Sequence, residues 1–340
     1  MFDYVFVTHL PSFYKINLYN ELSKEKKVFV IFVANQSKDR TSDFVNLDCK
    51  FEYAVLSRGD FEKRNIFFSI IRIFSIVRKI DYKRLVVGGW DLWEFWFLVF
   101  LSRKNKNCLA LESTVSESKQ SGIKGFIKKI FLKRISLVFA SGKLHKKLLD
   151  NLNYSGECKF TKGVGLINKP DRKNTRHDYK KRFLFLGRLA EEKNLEFLID
   201  IFNSLPDYHL TIVGKGHLKE KLMTMSKENI EFFDHVENSK ISNLFSSNDF
   251  LVLPSIAEPW GLVVEEALYF GLPVIVSKNC GVSELIEDSK NGYVIDSEDA
   301  TALKKILIDI NMDNYKVLSN NVINYNLIEE KDIKQIEAYL

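Results

Sequence analysis

Short apolar runs alternate with longer helix-patterned segments along nearly the whole chain, and the alternation stops once and restarts. In the first half the runs are "YVFVTHL", "VFVIFVA", "FEYAVL", "RLVVGG", "CLALES" and "SLVFASG". They are apolar on successive positions, the pattern of strands buried on both faces. Segments such as "SFYKINLYNELSKE" and "WDLWEFWFLVFLSRK" lie between them and read as helices. Strands separated by helices imply βαβ crossovers and a parallel sheet. A polar stretch at 168–181, "NKPDRKNTRHDYKK", has no apolar period and reads as a linker. The alternation then resumes with "RFLFLGR", "YHLTIVGKG", "IEFFD", "DFLVLPS", "LPVIVS" and "GYVID". The expected fold is α/β, with two doubly wound Rossmann-like parallel-sheet domains facing a central cleft. Residues 1–170 and 171–325 form the domains, and 326–340 is a C-terminal helix returning to the first.

At 340 residues and 46% hydrophobic, the chain can bury two cores of ordinary size. Its four cysteines are scattered without a CxxC pair, which fits a reducing compartment and argues against a zinc cluster. The opening "MFDYVFVTHL" reads as a strand rather than a leader, and "NIFFSIIRIFSIVRK" is interrupted by Arg72, so no span is expected. A cytoplasmic protein follows. Charge is uneven: residues 1–175 carry 32 basic and 17 acidic side chains, a net +15, whereas 176–340 carry net −9. A basic half suits nucleic acid, an anionic membrane surface or a phosphorylated ligand.

Ligands of such sheets bind beyond the strand C-terminal ends, so the residues just after each strand are the candidates. After "RFLFL" come Gly187, Arg188 and Lys193 at the entrance to a helix, a good phosphate site or a solvated loop paired with Glu191 and Glu192. After "YHLTIV" come Gly214 and Gly216, where G-x-G-x-x-G fails at Lys219 and a plain turn is the simpler reading. After "DFLVLP" comes "EPWGLVVEEAL": Glu258 in a loop, Gly261 at the turn, and Glu265 and Glu266 on an apolar helix. A carboxylate on such a helix needs a polar partner, which sugar hydroxyls could supply. Glu265 is expected to face solvent or the other domain.

The order and spacing of these pieces over residues 183–296 resemble retaining glycosyltransferase family 4, of the GT-B fold, whose E-x7-E signature would be Glu258 and Glu266. The resemblance implies that Arg188 and Lys193 hold the diphosphate of a UDP- or GDP-linked sugar. Glu258 would bind donor-sugar hydroxyls, and the backbone at Gly261, Leu262 and Val263 would meet the phosphates. Glu266 would bind the ribose, and His235 and Val236 the base, with Gly187 and Gly214 completing the donor set. It implies retention of the anomeric configuration, no cofactor and no metal, and the chain contains no D-x-D triplet. Where many members have a histidine after the strand corresponding to "CLALES", this chain has Glu112 and Ser113. Either Glu112 takes over that contact, joining Glu258, Arg188 and Lys193 as a catalytic candidate, or the donor sits differently.

On the acceptor side the candidates are Tyr14, Lys15, Trp90, Asp91 and Ser113, with Trp93 and Trp96 read as helix core. The stretch "SGIKGFIKKIFLKRISLVF" is either a surface helix with a buried stripe or a basic helix docking peripherally on the inner face of the membrane. The +15 half favours docking. The function expected is transfer of a sugar from a nucleotide-sugar to a glycan acceptor, lipid-diphosphate-linked, in bacterial O-antigen or capsule synthesis. The rivals are a nucleotide-sugar epimerase or phosphorylase on the same fold, an inactive sugar-nucleotide sensor, and a nucleic-acid-binding protein. The acidic second half and the absence of any RNP-like motif argue against nucleic acid.

Overall fold

The computed structural model describes residues 1–38, 44–45, 47–171, 178–234, 236 and 241–340. The chain divides into two compact units, Met1–Asn168 with Lys331–Leu340, and Lys169–Glu330. Of the stretch read as a linker, residues 172–177 lie outside the described residues.

The first unit is built on seven parallel strands: β1 (Phe2–Thr8), β2 (Val28–Gln36), β3 (Glu52–Asp60), β4 (Tyr82–Val87), β5 (Asn107–Leu111), β6 (Leu137–Ala140) and β7 (Glu157–Phe160). Their order is β3-β2-β1-β4-β5-β6-β7, so the direction of winding reverses between β1 and β4. The period of two divides each strand between two cores. Val5, Val7, Ile31 and Val33 point into one, and Phe6, Val30 and Phe32 into the other. The first core is covered by α2 (Ile66–Val77), α3 (Trp93–Leu101), α4 (Gly122–Leu132) and α5 (Lys143–Asn151), through residues such as Ile73, Phe95, Phe131 and Leu148. The second is covered by α1 (Phe13–Leu22) and by the chain end, where Tyr339 is buried. β7 had not been foreseen: "ECKF" sits at the sheet edge, half exposed, and lacks the doubly apolar pattern of its neighbours.

The second unit has six parallel strands: β8 (Arg182–Leu186), β9 (His209–Val213), β10 (Ile230–Phe233), β11 (Phe250–Leu253), β12 (Val274–Ser277) and β13 (Gly292–Ile295). The order β10-β9-β8-β11-β12-β13 reverses between β8 and β11. α6 (Leu195–Asn203), α7 (Lys219–Met225), α8 (Ile241–Ser246) and α9 (Leu262–Tyr269) follow β8, β9, β10 and β11 in turn. Two further helices, α10 (Ala300–Asp309) and α11 (Met312–Asn324), follow β13. Each opens on a side-chain cap: Asp299 accepts the Ala302 N–H, and Asn311 forms a reciprocal capping box with Asn314. The last helix, α12 (Leu327–Glu337), leads to the C-terminal residues that belong to the first unit. Among the described residues no helix is long and apolar enough to cross a membrane.

Tyr339 ties the chain end to the first sheet. Its ring stacks on Phe139 at 4.3 Å and meets Tyr4 and Phe6 edge-on. The Tyr4 hydroxyl donates to the Tyr339 carbonyl at 2.8 Å. Removing so large a buried ring leaves a cavity, so Tyr339→Ala is expected to destabilise the first unit by about 3 kcal/mol. Calorimetric melting should show one transition lowered and the transition of the second unit unmoved.

Candidate functional site

In a parallel sheet of this kind the loops diverge where the winding reverses, and that gap is the place for a ligand. In the second unit the gap lies beyond β8 and β11. The loop after β8 carries Gly187, Arg188 and Lys193, and the loop after β11 carries Glu258. The structure brings the two together: Lys193 Nζ and Glu258 Oε2 form a short ion pair with about 12% and 14% of the two side chains exposed. The pair therefore lies largely out of water, and its carboxylate and ammonium have other bonding directions to offer.

Its backbone is fixed on both sides. Asn194, left-handed at φ 58°, donates from its side chain to the carbonyls of Ser297 (2.8 Å) and Pro254 (3.3 Å), and the Ile256 N–H bonds Glu192 O at 2.9 Å. The loop after β12 holds Glu258 through a backbone bridge to Cys280, with the Gly281 N–H on Glu258 O at 3.0 Å. Asn194 was not among the residues expected from sequence; its neighbour Lys193 was the only pointer to it. Arg188, by contrast, is 61% exposed and rests on Glu192 at 2.9 Å, a contact it can give up cheaply.

Gly261 opens α9 at φ 105°, a conformation only glycine adopts without strain, and a Cβ there would lie about as close as 3.1 Å to Leu253. The first-turn N–H groups of α9, at Leu262 and Val263, have no intrahelical acceptor, the usual condition of a helix start. Gly214 and Gly216 serve a different end. A Cβ on Gly214 would fall 1.8 Å from Gly187 O, and one on Gly216 would fall 2.1 Å from Leu189 O. Their missing side chains let the loops after β8 and β9 lie backbone on backbone.

The two acids of α9 differ. Glu265, expected at solvent or between domains, is fully buried and accepts a hydrogen bond from the indole Nε1 of Trp260, itself buried. The helix is enclosed on the side where position 265 projects, and the indole N–H is a donor that offsets part of the cost of burial. Glu266 is half-buried, and its carboxylate has no hydrogen-bond partner among the described residues. Burial, and after it the neighbouring Glu265 carboxylate, push its pKa up to about 8. Val236 follows β10 and is half-buried; His235 lies outside the described residues.

In the first unit the corresponding gap lies beyond β1 and β4. Lys15, buried in the first turn of α1, bonds Glu112 Oε1 at 2.8 Å and Thr8 Oγ1 at 2.9 Å. Burial opposes its charge, but the facing Glu112 carboxylate and the nearby Tyr14 and Tyr19 more than offset this and raise its pKa. Glu112 is thus pinned within the unit. Asp91 bonds His9 Nε2 at 2.7 Å. Burial works against the Asp91 charge, but the bond to and charge of His9, a backbone hydrogen bond and the charge of Lys15 together more than offset it and lower the pKa. His9 was missed, although it is the residue directly after β1. Trp90 is half-buried under Lys128 Nζ, 5.4 Å from its ring. Ser113 is half-buried next to Glu112, and Tyr14 packs edge-on against Phe13 and Phe44. Trp93, read as core, is instead 66% exposed, because the inward positions of α3 are taken by Phe95, Leu98 and Val99; Trp96 does pack inward, at 4.9 Å from Phe131.

The two reversing parallel sheets, together with the solved structures the chain resembles, give it the GT-B fold. Anabaena HepE, solved in complex with UDP-glucose, superposes with TM-score 0.74 at 13% identity, over 99% of this chain and 98% of that one. Residues 167–327 match the profile of the family described as glycosyl transferases group 1. The chain is 30% identical over 150 residues to an uncharacterized glycosyltransferase of Methanocaldococcus jannaschii, covering 42% of this chain and 36% of that protein. It thus spans about a third of the length of several curated relatives it matches, including a protein of the Klebsiella pneumoniae cps region at 35%. It is 29% identical over 248 residues to a Campylobacter jejuni protein, covering 66% of this chain and 68% of that one. That protein is named as a GalNAc-alpha-(1->4)-GalNAc-alpha-(1->3)-diNAcBac-PP-undecaprenol alpha-1,4-N-acetyl-D-galactosaminyltransferase.

Two measurements test this geometry. Lys193→Met strands the Glu258 carboxylate in a nearly dry site, so it should cost more stability than the double variant Lys193→Met/Glu258→Gln predicts additively. A double-mutant cycle by denaturant unfolding is expected to return a coupling of about 1–3 kcal/mol. For Glu266 the folded pKa is raised, so its favourable protonated state is fully present below the ordinary carboxylate range and is lost as pH climbs to about 8. Glu266→Gln should therefore melt like the parent in acid and progressively above it as pH rises through that window.

Proposed function

We propose that the chain is a metal-independent hexosyltransferase that moves a sugar from a UDP- or GDP-linked donor to a glycan acceptor with retention of configuration. The observation that carries this reading is the Lys193–Glu258 pair at the reversal of the second sheet, with Arg188 free to turn toward it. A cation and a carboxylate held side by side suit a ligand that is itself half anion and half polyol. The diphosphate takes Arg188, Lys193 and the N–H groups at the start of α9, and the sugar hydroxyls take Glu258. Glu266, carrying a proton below about pH 8, can donate one hydrogen bond and accept another from the two ribose hydroxyls. Val236 and His235 meet the base.

The chemistry follows from where charge develops. As the bond from the anomeric carbon to the diphosphate oxygen breaks, the electron pair stays on the leaving phosphate. Preorganised cations and helix N–H groups aimed there lower the barrier. The acceptor hydroxyl attacks from the face the diphosphate leaves, and its proton passes to the departing phosphate oxygen. Acceptor contacts come from the first unit, with Glu112, Ser113, Tyr14, Lys15, Trp90 and Asp91 as the groups concerned and His9 joining Asp91. The Campylobacter relative, whose name gives an undecaprenol-diphosphate acceptor, supports a lipid-linked acceptor, and the Klebsiella cps relative supports surface polysaccharide synthesis.

The test starts with a thermal-shift screen of UDP- and GDP-sugars, in which a true donor raises the melting temperature by mass action. With that donor, Arg188→Ala should lower turnover about 100-fold. Its melting temperature should stay that of the parent, since the side chain is exposed. Turnover should persist in EDTA, and the product's anomeric coupling should match the donor's. An Arg188→Ala protein of full activity, or no shift with any nucleotide-sugar, would overturn the proposal.

A further inference from the structure

Three helices of the first unit expose large apolar side chains where packing gave no reason to. α2, α3 and α4 lie side by side over one core: Phe74 meets Phe97 at 6.0 Å across the first two, and Trp96 meets Phe131 at 4.9 Å across the second two. Their inward stripes are satisfied by Ile73, Phe95 and Phe131. Their outward faces nonetheless carry Phe67 at 67% exposure, Phe68, Trp93 at 66%, Ile123 at 79% and Phe126, while Ile71, Phe100 and Leu101, further along their helices, are about half exposed. The five most exposed all fall in the first half of their helices. Each helix follows a strand of a parallel sheet and runs back along it, so its first half stands at the C-terminal end of the strands. The most exposed side chains therefore gather at one end of the helix layer, the end that also carries His9, Asp91 and Glu112.

We infer that this end of the α2–α3–α4 layer docks on an anionic lipid bilayer, with those side chains inserted among the acyl chains. Charge selects the occupant. α4 contains Lys124, Lys128 and Lys129 and no acid, and α2 contains Arg72 and no acid. The one acid of α3, Glu94, is buried on Arg64. Apolar side chains set among cations suit an interface of lipid tails under anionic headgroups. A second copy would bring like charge against like, and a nucleic acid would leave the apolar side chains without a partner. The surface is wider than the basic helix singled out in the sequence, because Phe67, Phe68 and Trp93 extend it. It deepens the reading of a lipid-linked acceptor but does not depend on catalysis.

The full chain should sediment with phosphatidylcholine–phosphatidylglycerol vesicles and far less with phosphatidylcholine alone. Phe67→Ser/Phe68→Ser and Ile123→Ser/Phe126→Ser should each weaken that binding about tenfold, and Lys124→Glu/Lys129→Glu should abolish the lipid preference. Melting temperature and the nucleotide-sugar thermal shift should be unchanged in all three. Failure to bind anionic vesicles, or variants that bind like the parent, overturns the inference. So does a concentration-dependent dimer that the serine variants dissolve, which would assign the patch to a second copy. Vesicle binding without any nucleotide-sugar shift would leave docking standing and remove the transferase reading.

Discussion

A parallel sheet buried on both faces leaves its strand ends as the place where the backbone can meet solvent and ligands. Where winding reverses, two neighbouring loops part and a gap opens between them. Everything proposed for the second unit depends on how that gap is filled. It is filled by a cation from one side and a carboxylate from the other, held in a nearly dry ion pair. Such a pair is poor evidence for stability, since the attraction is largely offset by lost hydration. Its value is positional: two opposite charges are kept at fixed places, each with bonding capacity to spare. The loops after β8, β11, β12 and β13 all contribute backbone or side-chain bonds that hold those places.

The first unit uses the same architecture with a different filling. Its reversal carries His9 against Asp91, and the adjacent strand end carries Glu112 against buried Lys15. The position at which the family resemblance implies a histidine is occupied by an acid paired with a cation of its own unit, while a histidine appears two strands away.

Much of this was legible in the sequence because burial on both faces forces strands to be apolar at successive positions. Among the described residues, twelve of the thirteen strands announced themselves in that way, and β7 did not because an edge strand is free of that demand. Arg188, Lys193 and Glu258 could be singled out because they follow strands directly. Their pairing could not, since Lys193 and Glu258 are 65 residues apart and only the crossing of the chain brings them together. The same holds for His9 and Asp91, 82 residues apart. Periodicity also misled. It tells that a helix has an apolar stripe without telling whether protein lies against it, so Trp93 was placed inside when it stands outside. For Glu265 the error ran the other way, because the rule that acids seek water yields where polar groups such as the Trp260 indole N–H bond the carboxylate inside the fold.

The glycines behind the site have a consequence for how such a chain can diverge. Gly214 presses against the carbonyl of Gly187, so the loop that carries Arg188 and the loop after the neighbouring strand form one mechanical piece. A side chain at 214 would act as a wedge and displace the arginine without touching it. Variation in what this gap accepts is therefore free to occur at the tips of these loops, and closed to their roots.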